Sequence, residues 1–325
     1  MIVRNLRIQN LRNHIDSQFE FEKFINVIHG KNGIGKTTIL ESISLVSMTK
    51  SFLPNSDSSL IRSGEKFYQI NCNTENDIGV DYKINIRFNG SGKKIINSNL
   101  GDNLLPKNII GELPIVVLSP DFKNITFGSP VDRRFFIDSV LSQASRIYVE
   151  EAIKLKKFLK QRNILLNDFA KGNRIDFKLF DTLTELFINT SAEIVSRRSR
   201  FINEFKPYFE KAYRIVASTI ESAEIFFKPD SIQSNIFSYN LEKNDIIESY
   251  QSKFEQIRDK EFKRGLTLFG PQKDDLEISV NGNLSKDAAS QGQHKTLLIS
   301  LKFAEFEFLK NARNETPVFL LDDIY

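Results

Sequence analysis

The chain carries the stretch Gly30-Lys31-Asn32-Gly33-Ile34-Gly35-Lys36-Thr37 between an apolar segment and a segment with the pattern of a helix. This stretch matches G-x-x-x-x-G-K-[ST] at every fixed position. Glycines let the backbone curl so that successive N–H groups point at a phosphate chain, and the N-terminus of the next helix adds partial positive charge. The apolar run at 25–28 predicts a strand and the pattern after the loop predicts a helix over 37–49, which is the context that the motif requires.

The side chains of this loop have separate predicted roles. Lys36 would reach the β- and γ-phosphates as a point charge, and the Thr37 hydroxyl would ligate a Mg²⁺ ion that bridges them. Thr38 would support the α-phosphate. The alternative is a glycine-rich turn between a strand and a helix that binds no ligand.

A second part of the site is predicted far along the chain, in Pro317-Val318-Phe319-Leu320-Leu321-Asp322-Asp323. The apolar run 318–321 predicts a strand whose carboxyl end brings Asp322 beside the phosphate loop, where it would hold the Mg²⁺ shell. Asp323 would face the γ-phosphate and orient or deprotonate the attacking water. Taken alone, an acidic pair is equally consistent with a simple strand end.

Composition excludes several classes of protein. The chain has 325 residues, 40% of them hydrophobic, and 45 Lys and Arg against 41 Asp and Glu give a formal charge of +4. A single cysteine, Cys72, forbids an internal disulfide framework and a Cys-based zinc site, and it fits a reducing compartment. No run approaches the roughly 20 apolar residues of a membrane span, and charges interrupt the first twenty residues. We therefore predict a cytoplasmic protein that is neither secreted nor membrane-spanning.

Periodicity predicts an α/β fold in which helices interrupt a sheet. Alternating or apolar runs at 82–88 and 115–118 predict strands. Residues 130–217 instead place apolar side chains three and four positions apart, the spacing of amphipathic helices. Strand patterns return at 276–280 and 318–321, with a helix over about 293–313 between them. The expected parts are a nucleotide-binding sheet lobe at 1–120, a helical lobe at 121–264 and a return to the first lobe at 265–325.

Positive charge is concentrated in the predicted helical lobe. Residues 121–215 hold 18 Lys and Arg against 12 Asp and Glu. Seven of these cations lie on helices with an apolar opposite face: Lys154, Lys156, Lys157, Lys160, Arg197, Arg198 and Arg200. Such side chains can neutralise DNA phosphates without reading bases, which predicts salt-sensitive binding that is independent of DNA sequence. The alternative is an ordinary solvated helix face.

The tetrad Ser290-Gln291-Gly292-Gln293, before a long amphipathic helix, resembles the signature of ABC-type ATPases. In that family Ser and Gly at a helix N-terminus bind the γ-phosphate of nucleotide held by the opposite subunit. The order of phosphate loop, long insertion, signature and acidic strand is typical of ABC-type heads rather than of small GTPases or kinases. By itself the tetrad could also be a helix cap.

The surrounding motifs resemble those of the RecF family along essentially the whole chain. They are Asn10-Leu11-Arg12-Asn13, Pro130 with Arg133-Arg134-Phe135-Phe136-Ile137-Asp138, Gln161-Arg162-Asn163 with Leu165-Leu166, Gly270-Pro271 with Asp274-Asp275-Leu276, the signature tetrad, and Leu321-Asp322-Asp323-Ile324. The resemblance implies an ABC-type P-loop ATPase head with an inserted helical lobe and no long coiled coil. It also implies a weak, DNA-stimulated ATPase that forms an ATP-dependent homodimer on DNA.

The family pattern implies roles for named residues and partners. It assigns residues 30–37 to the phosphate loop, Arg12 and Asn13 to nucleotide contact, and Ser290, Gly292 and Gln293 to the signature that acts on the partner subunit's nucleotide. Asp322 takes the Mg²⁺ position and Asp323 the catalytic position. The implied work is recombinational gap repair, replication restart and normal SOS induction, in which the protein helps RecO and RecR to load recombinase at junctions of single- and double-stranded DNA.

The sequence departs from the family pattern at three places. First, Gln272-Lys273 stands where the family usually has His and Arg. Second, residues 116–120 contain no Gln of the kind that senses metal in SMC heads. Third, related chains continue past the acidic pair, so a C-terminally truncated head is expected. Three alternatives stay open: an SMC-like head, an ATPase of the OLD type that precedes a nuclease domain, and an interaction module without ATPase activity.

Overall fold

The computed structural model describes residues 1–217, 221–230 and 241–323. The strands are β1 Ile2–Leu11, β2 His14–Glu20, β3 Tyr68–Glu75, β4 Asp81–Phe88, β5 Ile95–Ser98, β6 Ile115–Leu118, β7 Ala223–Lys228, β8 Asp275–Val280, β9 Asn283–Leu284 and β10 Val318–Leu321. The helices are α1 Lys36–Met48, α2 Asn124–Phe127, α3 Pro130–Ala144, α4 Arg146–Ala170, α5 Phe177–Ala217, α6 Lys243–Arg264, α7 Ser285–Ala288 and α8 Gln291–Arg313. None of the helices within these ranges combines the length and apolarity that crossing a membrane requires.

Two compact units divide the chain. The first unit comprises Met1–Phe122, Ser142–Arg146 and Glu305–Tyr325, and the second comprises Lys123–Leu141 and Ile147–Ala304. This division differs from the expected ranges, because residues 265–304 group with the long helices rather than with the first sheet. Residues 218–220, 231–240 and 324–325 of the expected ranges lie outside the described residues.

The first unit is built on an antiparallel sheet in the order β2-β1-β3-β4-β5. Side chains alternate between the two faces of each strand, so one face can be apolar throughout. The register places Ile8 beside Ile70, Ile70 beside Ile86 and Ile86 beside Ile96, and all four are fully buried. Helix α1 adds side chains to the same core. The strand predicted over 82–88 is confirmed as part of β4.

A short parallel pair, β6 with β10, completes the first unit. Val318 lies beside Ile115 and Leu321 beside Leu118, so the two predicted strands at 115–118 and 318–321 are confirmed. The backbone N–H of Asp322 donates to the Leu118 carbonyl at 2.9 Å, which extends the ladder by one residue. Asp322 therefore lies directly at the carboxyl end of β10.

The prediction of a strand over 25–28 is wrong, because these residues form no β-pairing. Ile25 and Val27 are 86% and 79% exposed. An apolar run becomes a strand only where a neighbouring strand accepts its backbone hydrogen bonds, and no described strand lies in register with this segment. The phosphate loop is consequently held by other contacts, described below.

The second unit combines the long helices α4, α5 and α6 with an antiparallel sheet in the order β7-β8-β9. The helical period predicted for 130–217 is confirmed by α3, α4 and α5. One core cluster of this unit contains Phe187, Val195, Tyr250 and Phe269, which come from α5, α6 and the segment before β8. Aromatic side chains bury large apolar areas, so this Phe-rich cluster supplies much of the unit's hydrophobic stabilisation.

Candidate nucleotide-binding site

The backbone of the phosphate loop has the conformation that its glycines predict. Gly33 and Gly35 have φ angles of +80° and +107°, in the left-handed region that glycine enters without steric cost. Gly35 is the N-cap of α1 and no side chain caps the helix there. The first turn of α1 also contains no acidic residue, so its N–H groups and positive dipole end stay available to an anion.

Lys36, the first residue of α1, folds back over the loop. Its Nζ donates to the carbonyls of Gly30 and Lys31 at 2.9 and 3.1 Å. Lys31, Asn32 and Ile34 are largely exposed, as expected for a loop that binds through its backbone. Thr38 is 5% exposed and lies inside the turn of α1, where its carbonyl accepts a hydrogen bond from Ser42.

The loop and the acidic strand meet through Thr37 and Asp322. The Thr37 hydroxyl donates to Asp322 Oδ1 at 3.0 Å across 285 positions of sequence. Burial raises the pKa of Asp322, nearby carboxylates add to this rise, and the Thr37 hydrogen bond opposes it. A hydroxyl and a carboxylate are hard oxygen ligands of the kind that Mg²⁺ takes, and a cation here would relieve the repulsion between the carboxylates.

Asp323 follows Asp322 in an exposed position with a φ angle of +42°. A positive φ is uncommon for residues other than glycine, although Asp enters this region more readily than most. The backbone therefore turns sharply at Asp323, and the carboxylates of the pair have different surroundings. Asp322 is 8% exposed and bonded, whereas Asp323 is open to solvent.

The turn between β1 and β2 holds the loop from the other side. Arg12 forms a bidentate ion pair with Glu41 of α1, through Nε at 2.6 Å and Nη2 at 3.0 Å. Asn13 Nδ2 donates to the Gly33 carbonyl at 2.5 Å. His14 Nε2 lies 3.2 Å from the Gly35 carbonyl. The two residues predicted to contact nucleotide thus lie against the phosphate loop, and their side chains make protein contacts.

Sequence reasoning missed Glu41 and His14. Glu41 is fully buried in α1 and accepts hydrogen bonds from Arg12 and Ser51. Its signal in the sequence was a carboxylate within the apolar pattern of a helix, since a buried charge requires a partner. His14 carried no such signal, because its contact with Gly35 depends on how the hairpin folds against the loop.

The signature tetrad lies in the second unit, at the start of α8. Ser290 Oγ accepts from the Gln293 N–H at 3.2 Å, and Gln293 Oε1 accepts from the Ser290 N–H at 2.8 Å. This reciprocal pair is a capping box, so the helix-cap alternative describes its local role. Ser290 and Gly292 are nevertheless exposed, and a Cβ at Gly292 would meet only Ser290 Oγ, at 3.8 Å. Packing within the chain therefore does not require glycine at this position.

The residue after the tetrad anchors the start of α8. His294 Nδ1 lies 3.0 Å from Thr126 Oγ1, and its ring packs edge-on against Phe127. Burial lowers the pKa of His294. Gln293 Nε2 also donates to Glu221 at 2.9 Å. The exposed tetrad is therefore presented from a helix end that is fixed on two sides.

The predicted DNA-facing cations lie in different environments. Lys154, Lys156, Lys157 and Lys160 are exposed along α4, and Lys154 pairs with Glu151 at 2.7 Å. On α5 Arg200 is exposed, whereas Arg197 pairs with Glu193 at 2.6 Å.

The placement of Arg198 on this surface is wrong. Arg198 is 4% exposed and pairs with Asp138 and Asp274, both at 2.8 Å. Burial raises the pKa of Asp274 to about 6, although the Arg198 charge opposes this rise. The helix presents this arginine to the interior of the second unit, where the two carboxylates offset the cost of burying its charge.

Two of the motifs that carry the family resemblance, 133–138 and 274–276, meet in the same network. Arg133 binds Asp275 through Nε at 2.7 Å and Nη2 at 3.0 Å, and Arg134 donates to the Asp274 carbonyl. Gln272, at the position where the family usually has His, donates to the Phe269 carbonyl at 2.6 Å. The Arg-Arg and Asp-Asp motifs therefore hold the second unit together from within.

The chain is similar to known proteins over almost its whole length. A family model described as an AAA domain matches residues 5–315. The DNA replication and repair protein RecF of Chloroherpeton thalassium is 35% identical over 321 residues, which cover 98% of this chain and 86% of the relative. RecF of an Exiguobacterium species is 34% identical over 325 residues, covering 100% of this chain and 85% of the relative.

Solved structures show the same relationship. The recombination mediator protein RecF with ATP, of the RecFOR pathway, superposes with a TM-score of 0.93 at 27% identity over 99% of this chain and 85% of that chain. The Smc head domain of Pyrococcus furiosus superposes with a TM-score of 0.51 at 14% identity, which shows a shared fold. The fold is that of an ABC-type ATPase head, and the resemblance first seen in the motifs is confirmed: the chain belongs to the RecF family of DNA replication and repair proteins.

Proposed function

We propose that the chain is an ATP-dependent DNA-binding protein that closes as a homodimer on DNA near single-strand gaps and opens again on hydrolysis. The observation that carries this proposal is the Thr37 to Asp322 hydrogen bond of 3.0 Å, which joins the phosphate loop to the acidic strand. A phosphate loop and a carboxylate at the end of a neighbouring strand are the two halves of a nucleoside triphosphate site.

The residues present fit ATP and Mg²⁺. The backbone of 30–37 would cradle the phosphates, Lys36 would neutralise their charge, and Arg12 and Asn13 would support the loop or contact the nucleotide. Thr37 and Asp322 would hold Mg²⁺, which supplies positive charge where negative charge develops on the phosphates. Asp323, exposed beside Asp322, is the residue that could orient a water molecule.

The signature is proposed to act on nucleotide bound by a second copy. Ser290 and Gly292 are exposed at the N-terminus of α8, and the space around Gly292 is open. A helix N-terminus with exposed N–H groups favours an anion. Two copies would then enclose two ATP molecules, each held by the loop of one copy and the Ser290, Gly292 and Gln293 group of the other.

ATP would serve as a switch rather than as a source of sustained work. An ATP molecule shared between two copies stabilises the closed dimer, and slow, DNA-stimulated hydrolysis through Asp323 removes that stabilisation. The DNA surface is proposed on α4, where Lys156, Lys157 and Lys160 are exposed, together with Arg200 of α5. These side chains suit phosphate contacts that do not depend on base sequence.

The proposed setting is recombinational gap repair and replication restart, with support for SOS induction. A solved relative is described as a recombination mediator of the RecFOR pathway, which supports RecO and RecR as partners in loading recombinase. The cytoplasm remains the expected compartment, because a buried free thiol, Cys72, fits a reducing environment.

A second candidate function is an interaction module without ATPase activity. The observation that favours it is the apolar segment 25–28, which precedes the phosphate loop without strand pairing. Such a head would keep the surfaces of the second unit while binding nucleotide weakly. Nucleotide affinity therefore distinguishes the two candidates.

Size-exclusion chromatography with light scattering tests the proposed switch. We expect Asp323→Asn to form a stable dimer with ATP, Mg²⁺ and gapped DNA, because removing the carboxylate slows hydrolysis without removing the loop. The unaltered chain should dimerise transiently under the same conditions, and Lys36→Met should stay monomeric. An Asp323→Asn protein that remains monomeric with excess ATP and Mg²⁺ contradicts the mechanism.

A further inference from the structure

His14 is held at both ring nitrogens and lies against the phosphate loop. It is 8% exposed, its Nε2 is 3.2 Å from the Gly35 carbonyl and its Nδ1 is 2.9 Å from Ser17 Oγ. The ring also packs edge-on against Phe19 at a centroid distance of 5.7 Å. These three contacts together fix the orientation of the His14 ring.

The partners determine which nitrogen carries the proton. A carbonyl oxygen only accepts hydrogen bonds, so Nε2 must donate to Gly35. In the neutral ring Nδ1 then accepts from the Ser17 hydroxyl. The Gly35 carbonyl therefore selects the tautomer, and the Ser17 hydroxyl holds the other ring nitrogen by donating to it.

The bond to Gly35 sets the direction of the first N–H group of α1. The Gly35 carbonyl also accepts from the Ile39 N–H at 3.3 Å, which begins the helix ladder. Because a trans peptide is planar, the Lys36 N–H on the same peptide points the opposite way, out of the helix N-terminus. That is the direction from which a phosphate would approach α1.

The ring also occupies the space beside Gly35. A Cβ at this position would lie 2.5 Å from His14 Nε2. Gly35 is thus required for its φ angle and for the close approach of the imidazole. Asn13 fixes a second loop carbonyl, that of Gly33, at 2.5 Å. Two consecutive hairpin residues therefore hold alternate carbonyls of the same loop.

We propose that His14 is a positioning residue for nucleotide binding: it orients the Gly35–Lys36 peptide so that the N-terminus of α1 is already shaped for a phosphate. This inference rests on the proposed nucleotide function and assigns His14 no contact with the nucleotide. A side chain that pre-orients a binding loop raises affinity because binding no longer has to order that loop.

Three variants of the full chain test the proposal, each measured for affinity toward a fluorescent ATP analogue with Mg²⁺ and for its thermal unfolding midpoint. His14→Leu keeps the bulk of the side chain and removes the donor, whereas His14→Gln retains an N–H donor near the position of Nε2. Thr74→Val is the matched control, because buried Thr74 donates to the Tyr82 carbonyl at 3.1 Å elsewhere in the same sheet.

We expect His14→Leu to weaken nucleotide binding about tenfold, the size of one lost hydrogen bond in a binding site. His14→Gln should restore most of the affinity. Thr74→Val should bind like the unaltered chain, even if its unfolding midpoint falls as far as that of His14→Leu. Affinity of His14→Leu equal to that of the unaltered chain overturns the proposal, and so does a His14→Gln variant as weak as His14→Leu.

If His14→Leu does not fold, Ser17→Ala and His14→Gln decide the matter. Ser17→Ala leaves the imidazole in place without the hydroxyl that holds its Nδ1 and fixes the orientation of the ring, so its affinity should fall, and an unchanged affinity overturns the proposal. Lys36→Met separates this inference from the proposed function. An unaltered chain that binds no nucleotide overturns both, whereas loss of binding in Lys36→Met but not in His14→Leu overturns only the role of His14.

Discussion

At the scale of single residues, three arginines of α5 show how position on a helix decides what a charge does. Arg197 is half-buried and pairs with Glu193, Arg198 is buried between two carboxylates, and Arg200 is exposed. Neighbouring helical residues point about 100° apart, so side chains close in sequence face different surroundings. Only Arg200 of the three is free to meet a DNA phosphate without first leaving a protein carboxylate.

Substituting Lys36→Met should reduce ATP affinity by roughly 10- to 100-fold, because the variant loses a charge-assisted contact with the phosphates. Fluorescence titration with an ATP analogue measures this change. Lys66→Met, which alters an exposed lysine of the same unit, is the control and should bind like the unaltered chain. Equal affinities of the two variants would show that Lys36 does not contribute to nucleotide binding.

The buried carboxylate of Asp274 should make stability depend on pH. Its pKa rises from 3.8 to about 6 on folding, so the folded chain binds this proton more tightly than the unfolded chain. The stabilisation from this group is complete below about pH 4 and is lost as pH rises through 6, a change of roughly 1–3 kcal/mol. Unfolding midpoints of the unaltered chain and Asp274→Asn at several pH values measure it.

Relative to that of Asp274→Asn, the unfolding midpoint of the unaltered chain should be higher at pH 4 than at pH 7. Asp287→Asn, which alters an exposed carboxylate of the same unit, should show no such trend. A difference that does not change across this range would mean that Asp274 titrates as it does in the unfolded chain.

At the scale of elements, α4 combines a buried face with a row of exposed lysines. Tyr148 and Leu166 are fully buried, whereas Lys157 and Lys160 are open to solvent. Segment 25–28 illustrates a different outcome, since Ile25 and Val27 are exposed and only Ile28 packs against the core of the first unit. The residue pattern of a helix or strand determines which side chains it can bury. The neighbouring elements determine whether those side chains are buried.

Charge reversal on α4 tests the proposed DNA surface. The double variant Lys157→Glu with Lys160→Glu should weaken binding to gapped DNA of any sequence and lower the slope of log affinity against log salt by about 2, one for each lost phosphate contact. Fluorescence anisotropy over a series of salt concentrations measures both quantities.

A matched control comes from α6. Lys260→Glu with Lys263→Glu makes the same change in net charge on exposed positions of the second unit. This control should keep the slope of the unaltered chain. If both double variants lower the slope equally, the effect is one of net charge and α4 is not the DNA surface.

At the scale of the whole molecule, the proposed site needs two copies of the chain. The loop and Asp322 lie in the first unit, whereas the exposed signature lies in the second. Lys36→Met disables the loop and Gly292→Asp disables the signature, so each variant alone should hydrolyse almost no ATP. Mixed in equal amounts they should recover about a quarter of the activity, since half the dimers are mixed and each has one intact site of two.

The mixing experiment has an internal control. Lys36→Met mixed with the double variant Lys36→Met and Gly292→Asp has no intact loop in any pairing and should recover nothing. Absence of recovery in the first mixture, with both variants folded by circular dichroism, would show that the signature does not act on the other copy's nucleotide.

Sequence alone was sufficient for the features that depend on neighbouring residues. The glycine pattern of 30–37 predicted a loop whose backbone curls, and Gly33 and Gly35 adopt the positive φ angles that such a loop uses. The apolar runs at 115–118 and 318–321 predicted β6 and β10, and the helical period predicted α4 and α5. These features follow from local backbone sterics and from the period of side chains along an element, which the residue order contains directly.

Tertiary structure alone decided which distant residues meet. Thr37 bonds Asp322 because β10 pairs in parallel with β6 and its carboxyl end lies beside α1. Arg198 is buried rather than exposed because Asp138 and Asp274 converge on it. His14 reaches Gly35 because a hairpin turn lies against the loop. Each of these contacts depends on the register and packing of segments far apart in sequence, which no local pattern specifies.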